Sequence, residues 1–151
     1  MRNNWYTENY LKDIETARET GTIIAAVGTG RVASASRADY AAGAIAVLLG
    51  EGHEGKIYEL GGDYAWDYNE LAEAIGDIIK KPVVYKPVDA QVLLVHLKNT
   101  GMPEAFLEPT VALNGNIRDG WLSAVTGHLS GLIGRPTTPL KQGLEEDLAT
   151  I

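Results

Sequence analysis

The sequence predicts an α/β fold made of a few short strands and five or six helices. Three observations lead there. Helix-opening polar residues precede apolar residues at helical spacing at several points along the chain. The β-branched runs between these helices are short and bounded by glycine or proline. No linker, repeat or low-complexity tract divides the 151 residues, so residues 1–151 are read as one domain. The pattern holds too few strands for a whole doubly wound sheet.

Residues 5–20 read as a helix stopped by Gly21. Thr22–Val27 reads as a strand, followed by Gly28-Thr29-Gly30 and a polar stretch from Arg31 to Ser36. Ser36 with Asp39 three residues on forms a capping box and opens an apolar helix through Leu49. Lys56–Leu60 is a strand closed by Gly61-Gly62-Asp63. Asp67 and Glu70 then form an aspartate version of the capping box, with Leu71, Ile75, Ile78 and Ile79 on one face and Pro82 just beyond the end. Val83–Val88 is a further strand, and Asp89 caps a helix that runs to Gly101 and carries Val92, Leu93 and Leu97. From Met102 to Trp121 an otherwise helical pattern is interrupted by Pro109. Thr138 at the N-cap and Pro139 at the first helical position start a last helix with Leu140, Leu144 and Leu148.

Composition excludes several function classes. The chain is 45% hydrophobic and 22% charged, which is ordinary globular material. Thirteen basic residues against twenty acidic ones give −7, so no electrostatic footprint for nucleic acid is visible. Cysteine is absent, which removes thiolate chemistry and fits a reducing compartment. No apolar run approaches the roughly 20 residues of a membrane span, and no signal-peptide core is present. The expectation is a cytoplasmic chain with neither nucleic-acid nor membrane partners.

One phosphate-loop look-alike fails on physical grounds. Gly28-Thr29-Gly30-Arg31-Val32-Ala33 matches G-x-G-x-x-A, and Glu59 ends the next strand where a ribose carboxylate belongs. A dinucleotide loop needs its helix to start inside the glycines, so that the helix amides face the pyrophosphate. Here the capping signal waits until Ser36, and Glu59 lies 31 positions after Gly28 where about 20 is usual. A turn joining two extended segments is the simpler reading. His53, His96 and His128 lack metal-ligand spacing, so no metal is expected. There is no G-x-S-x-G, no P-loop and no Tyr-x-x-x-Lys. Glu145-Glu146-Asp147 reads as a solvated helix face.

The opening Arg2-Asn3-Asn4-Trp5-Tyr6-Thr7-Glu8-Asn9-Tyr10 is too rich in recognition groups for a loose terminus. It resembles the R-x-G-W-Y-x-E-N signature of NmrA-like, atypical short-chain dehydrogenase/reductase proteins of the NAD(P)H:quinone oxidoreductase type. Further landmarks follow in family order: Ser36-Arg37-Ala38-Asp39-Tyr40-Ala41, Gly55 to Gly62, Ala65-Trp66 leading to Glu70-Leu71-Ala72, and Ile133-Gly134-Arg135-Pro136-Thr137-Thr138. Asn4 stands where the family usually has glycine; asparagine is the next-best residue for a left-handed backbone. The family also lacks the Tyr-x-x-x-Lys pair.

The resemblance implies the C-terminal, substrate-side portion of a Rossmann-type fold, with the nucleotide-binding half absent. It implies a substrate site at Arg2, Asn3, Asn4, Trp5, Tyr6 and Asn9. Trp5 and Tyr6 would stack on a quinone-like ring, the asparagines would orient carbonyl oxygens, and Arg2 would stabilise an oxyanion. An equally weighted reading makes Trp5 and Tyr6 the apolar face of a first helix, with Glu8 exposed. Arg37 and Tyr40 carry the same ambiguity, as helix-capping and packing residues. No catalytic residue is assigned. NAD(P)H is the cofactor implied for the complete family protein, and none is expected to bind this chain alone.

The leading expectation is a truncated reductase without independent catalysis. The alternatives are a non-catalytic redox-sensing or protein-interaction module, and one half of a split reductase. The expected partners are a second copy of the chain or a separate nucleotide-binding half. A homodimer contact is expected through Trp5, Tyr6, Tyr10 and Thr22–Val27, with an apolar face of Ala41–Leu49 otherwise turned to water.

Overall fold

A computed structural model describes residues 1–150. The chain opens in β1 (Arg2–Asn3), and Tyr6 then makes a parallel bridge to Ala35. A 3₁₀ turn over Thr7–Tyr10 leads into α1 (Leu11–Thr20), which stops at Gly21. The expected helix over 5–20 therefore starts later. The Ala35 amide donates to the Trp5 carbonyl at 3.2 Å and the Thr7 amide to the Ala35 carbonyl at 3.0 Å. These bonds to a distant segment hold Trp5 and Tyr6 extended, where a local helix would have left them free.

β2 (Thr22–Ala25) ends two residues earlier than expected, because the Ala26 amide turns to the Asn114 side-chain oxygen at 2.8 Å. Gly28–Gly30 form a turn, with the Gly30 amide on the Val27 carbonyl at 2.9 Å, and β3 (Arg31–Val32) follows directly. A Cβ on Gly30 would lie 2.3 Å from the Ile117 carbonyl oxygen, so this turn is packed against backbone. α2 (Arg37–Leu49) starts where the sequence placed it, with the Ser36 hydroxyl accepting from the Asp39 amide at 3.1 Å. The reciprocal half of that box is missing. The fully buried Asp39 carboxylate instead accepts from Arg135 Nη2 at 2.6 Å and from the Thr138 amide at 2.7 Å.

β4 (Glu59–Leu60) pairs in parallel with β1, Arg2 opposite Glu59. It is shorter than the expected 56–60, since the Lys56 amide closes a turn onto the His53 carbonyl. The chain leaves β4 through Gly61-Gly62, and a Cβ on Gly62 would sit 2.2 Å from the Ser34 carbonyl oxygen. β5 (Trp66–Asp67) pairs antiparallel with β3, and α3 (Tyr68–Ile79) begins in the complete Asp67/Glu70 capping box. Arg31 braces that box, reaching the Ala65 carbonyl at 2.6 Å and Glu70 Oε2 at 2.6 Å. β6 (Val84–Pro87) pairs in parallel with β2.

α4 (Ala90–Asn99), capped by Asp89, is followed by α5 (Glu104–Arg118), which continues through Pro109. Pro109 and Ala105, whose carbonyl loses a partner, are both exposed, so that carbonyl is not left in an apolar core. α6 (His128–Ile133) was not anticipated. α7 (Leu140–Leu148) has Pro139 as its N-cap, one residue later than expected, and Thr138 just before it gives its amide to Asp39.

The described residues thus hold seven helices and six short strands in three pairs. The balance is the mostly helical α/β one expected, with one or two helices more than the five or six, and three strands more than the three, read from the sequence. Two hydrophobic clusters result. The larger joins Ile14, Ile23, Val32, Leu71, Ile75, Ile117 and Leu144. The smaller gathers Ala35, Tyr40, Leu60 and Leu129 under β1, β4, α2 and α6.

Candidate functional site

The N-terminal segment lies where the two clusters meet. Register in the β1–β4 pair sets Arg2 beside Glu59, and the ion pair closes at 2.6 Å between two substantially exposed side chains. Asn3 is exposed and donates from Nδ2 to the Tyr6 hydroxyl at 3.3 Å. Asn4 is half-buried and gives its Nδ2 hydrogens to the Ala33 carbonyl at 3.2 Å and the Leu122 carbonyl at 2.9 Å. Its backbone is not left-handed, for Lys80 is the one non-glycine with positive φ among the described residues. Asn4 serves through its amide, and the expected left-handed turn is corrected.

Trp5 is half-buried and packs on the larger cluster, with its carbonyl also accepting from the Tyr40 hydroxyl at 3.2 Å. Tyr6 meets Tyr40 edge-on at 5.2 Å and lies under the Arg37 guanidinium at 5.5 Å. Burial, with Tyr6 and Glu8 nearby, pushes the Tyr40 phenol well above its ordinary range, so it stays protonated at neutral pH. Glu8 is not a free helix residue: its Oε1 accepts from the Arg37 amide at 2.6 Å, capping α2 from outside. Asn9 is exposed.

Arg2, Asn3 and Asn4 share a cleft of about 180 Å³ with Glu59, Leu60, Trp121, Ala124 and Thr126. Trp5, Tyr6 and Asn9 do not line it. The wall made by Trp121, Ala124 and Thr126 was missed in the sequence, since nothing in the spacing links residue 121 to residue 2. The loop is brought there by the two Leu122 carbonyl bonds, from Asn4 Nδ2 and from the Ala33 amide at 2.8 Å. Thr126 and His128 close the outer edge of β4, the threonine hydroxyl donating to the Glu59 carbonyl and His128 Nδ1 accepting from the Glu59 amide at 3.2 Å.

A larger hollow of about 590 Å³ lies elsewhere, between the end of α3 and β6. Its rim mixes Glu73, Asp77, Lys80 and Lys81, and it holds no residue of the N-terminal segment. The smaller cleft is the better candidate, because aromatic surface and hydrogen-bond donors converge there.

The Gly28–Gly30 turn does not suit a pyrophosphate. The Gly30 amide is already used, the Tyr85 hydroxyl donates to the Gly28 carbonyl at 3.2 Å, and a strand follows instead of a helix. Glu59 is engaged with Arg2. Among the described residues no group of three metal-type ligands comes together, and no helix is long and apolar enough to cross a membrane.

Of the residues expected at a dimer contact, Tyr10, Ile23, Ala25, Ala26 and Val27 are buried within the chain itself, while Trp5, Tyr6, Thr22 and Ile24 stay partly exposed. Exposed apolar side chains lie instead on the outer face of α2, at Ile45, Leu48 and Leu49, and at Ile57 before β4.

No family model matches the sequence. The chain is 40% identical over 144 residues to quinone oxidoreductase 2 of Escherichia coli, which covers 95% of this chain and 50% of that protein. It is 26% identical over 132 residues to the NAD(P)H azoreductase of Xenophilus azovorans, covering 87% of this chain and 46% of that one. The crystal structure of the NADPH-dependent quinone oxidoreductase from Escherichia coli complexed with NADPH superposes with a TM-score of 0.92 at 39% identity, over 97% of this chain and 52% of that one. Triphenylmethane reductase from Citrobacter sp. complexed with NADP(H) gives 0.90 at 36% identity, over 96% of this chain and 51% of that one. The chain spans about half the length of these relatives.

Proposed function

We propose that this chain, which matches about half of the NAD(P)H-dependent quinone oxidoreductase of Escherichia coli in sequence and fold, is the substrate-side half of an NmrA-like, NAD(P)H-dependent quinone reductase. The observation that carries this reading is the cleft at Arg2, Asn3, Asn4 and Trp121, built by the segment that bears the family signature. It offers guanidinium and amide donors for a ring oxygen beside a flat indole, which is the chemistry a quinone requires. NAD(P)H does not sit, in this reading, at the Gly28–Gly30 turn, which is filled by its own fold. In this reading the residues of the cleft bind and orient the acceptor, and the open edge of β1 and the outer face of α2 receive the nucleotide-binding half.

That outer face also favours a second reading, in which the chain works through a protein partner without turnover. Leu48 and Leu49 are 79% and 83% exposed and with Ile45 make a contiguous apolar patch on one helix face, the kind of surface that marks an interaction site. Calorimetric titration of the chain with NADPH and NADH, alone and with a separately produced nucleotide-binding half of a relative, separates the two. The reductase reading expects no saturable cofactor binding by the chain alone and acceptor reduction only in the mixture. Tight association with the half but no reduction of any quinone favours the interaction module.

A further inference from the structure

Trp121 has no structural employment that its exposure can explain. Its side chain is 78% exposed, the most of any aromatic residue among the described ones, in a chain that hides Trp66 at 3%. Leaving an indole in water forgoes the burial of some 150–250 Å² of mostly apolar surface. The residue is not displayed by slack chain. Its own amide donates to the Asn116 carbonyl at 3.0 Å, and Gly120, at φ +85°, turns the chain out of α5 just before it. Just after it the Leu122 carbonyl is held twice, by Ala33 and by Asn4, and Ser123 bonds back to the Gly120 carbonyl through its hydroxyl at 2.8 Å. A rigid turn therefore presents a bare indole at the wall of the cleft that Arg2 and Asn3 also line.

We propose that Trp121 determines acceptor specificity, as the platform on which a flat, electron-poor ring lies while Arg2 and Asn3 donate to a ring carbonyl. The inference rests on the reductase reading above and names the residue that selects its substrate class. The indole face is electron-rich and favours an electron-poor ring in offset contact over a saturated one. Arg2 uses one of its five guanidinium N–H groups on Glu59 and keeps others for an oxygen. Asn3 has one amide hydrogen beyond the one on Tyr6. Asn4, whose hydrogens are both spent, acts as a positioning residue: it fixes the distance between the loop of Trp121 and the floor of the cleft.

The test follows the indole N–H resonances of the 151-residue chain by NMR during titration with a water-soluble naphthoquinone sulfonate, with cyclohexane-1,4-dione as the saturated control. The three tryptophans give separate signals, assigned with Trp121→Phe and with the Trp66 indole bonded to Ser34 as internal reference. The Trp121 signal is expected to move saturably while that of Trp66 stays, and the saturated dione is expected to move neither. Trp121→Phe should bind within about threefold of the parent chain and Trp121→Ala at least about tenfold more weakly. Both variants should unfold at the parent's urea midpoint, because the side chain is exposed. Unchanged affinity in Trp121→Ala, equal binding of the saturated ring, or no saturable shift at Trp121 would overturn the proposal. The readout uses neither cofactor nor turnover, so a chain that fails as a reductase half leaves this result standing.

Discussion

Asp39 is the residue whose loss should be felt furthest from its position. It is fully buried, and its two oxygens each take one charge-assisted bond, from Arg135 Nη2 at 2.6 Å and from the Thr138 amide at 2.7 Å. Those contacts lock the Gly134-Arg135-Pro136-Thr137-Thr138 segment, and with it the start of α7, onto the first turn of α2. Asp39→Asn preserves shape but turns an N–H₂ toward one of the two donors. A hydrogen bond to a charged group is worth about 1.5–3 kcal/mol, and a buried donor left facing another donor adds to the loss. Arg135 is half exposed and recovers water, which trims its share, so the expected cost is about 2–4 kcal/mol. For a chain of this length that lowers the melting temperature by roughly 5–15 °C. Urea unfolding followed by far-UV circular dichroism, with Arg135→Met and the double variant, measures it. Adding Arg135→Met to Asp39→Asn should cost less than about 0.5 kcal/mol, because the pair is already broken. A single variant within about 0.5 kcal/mol of the parent, or additive costs in the double, would refute the claim that this pair ties the C-terminal segment to α2.

Gly30→Ala should destabilise by about 1–3 kcal/mol, since its Cβ would lie 2.3 Å from the Ile117 carbonyl oxygen; chemical denaturation checks it. Burial lifts the Asp13 carboxyl from 3.8 to about 6, so the folded chain holds that proton more tightly than the unfolded one. The parent should therefore lose stability relative to Asp13→Asn as pH rises from about 4 to about 6, by about 1–2 kcal/mol after partial solvent access, with a constant gap above; a pH series of urea midpoints reads it. Leu48→Glu should leave the unfolding free energy within about 0.5 kcal/mol because the side chain is 79% exposed, yet weaken any self-association seen by sedimentation.

What was legible in the sequence was what local chemistry decides. Asp67 with Glu70 and Asp89 with Val92 announce helix starts through bonds only two or three residues long. The delay of α2 to Ser36, which separates a turn from a phosphate loop, was legible for the same reason. What stayed hidden depends on partners far along the chain. Trp5 and Tyr6 are held extended by Ala35, the second half of the Ser36 box is diverted to Arg135, and Trp121 reaches the cleft through Asn4. Two-residue strands such as β1, β3 and β5 carry no periodicity at all, so only their pairing reveals them. Of the six residues proposed for the substrate site, Arg2, Asn3 and Asn4 come together in the cleft, while Trp5 packs on the core and Tyr6 on Tyr40.

The most direct measurement is NADPH-dependent quinone reduction by a chimera in which residues 1–151 replace the matching half of the Escherichia coli quinone oxidoreductase 2. A substrate-side half predicts a folded chimera that binds NADPH and reduces a naphthoquinone, while the 151-residue chain alone neither binds NADPH at micromolar concentration nor turns over. A folded, NADPH-binding chimera that reduces no quinone, or a chain that binds NADPH and reduces quinone unaided, would contradict it.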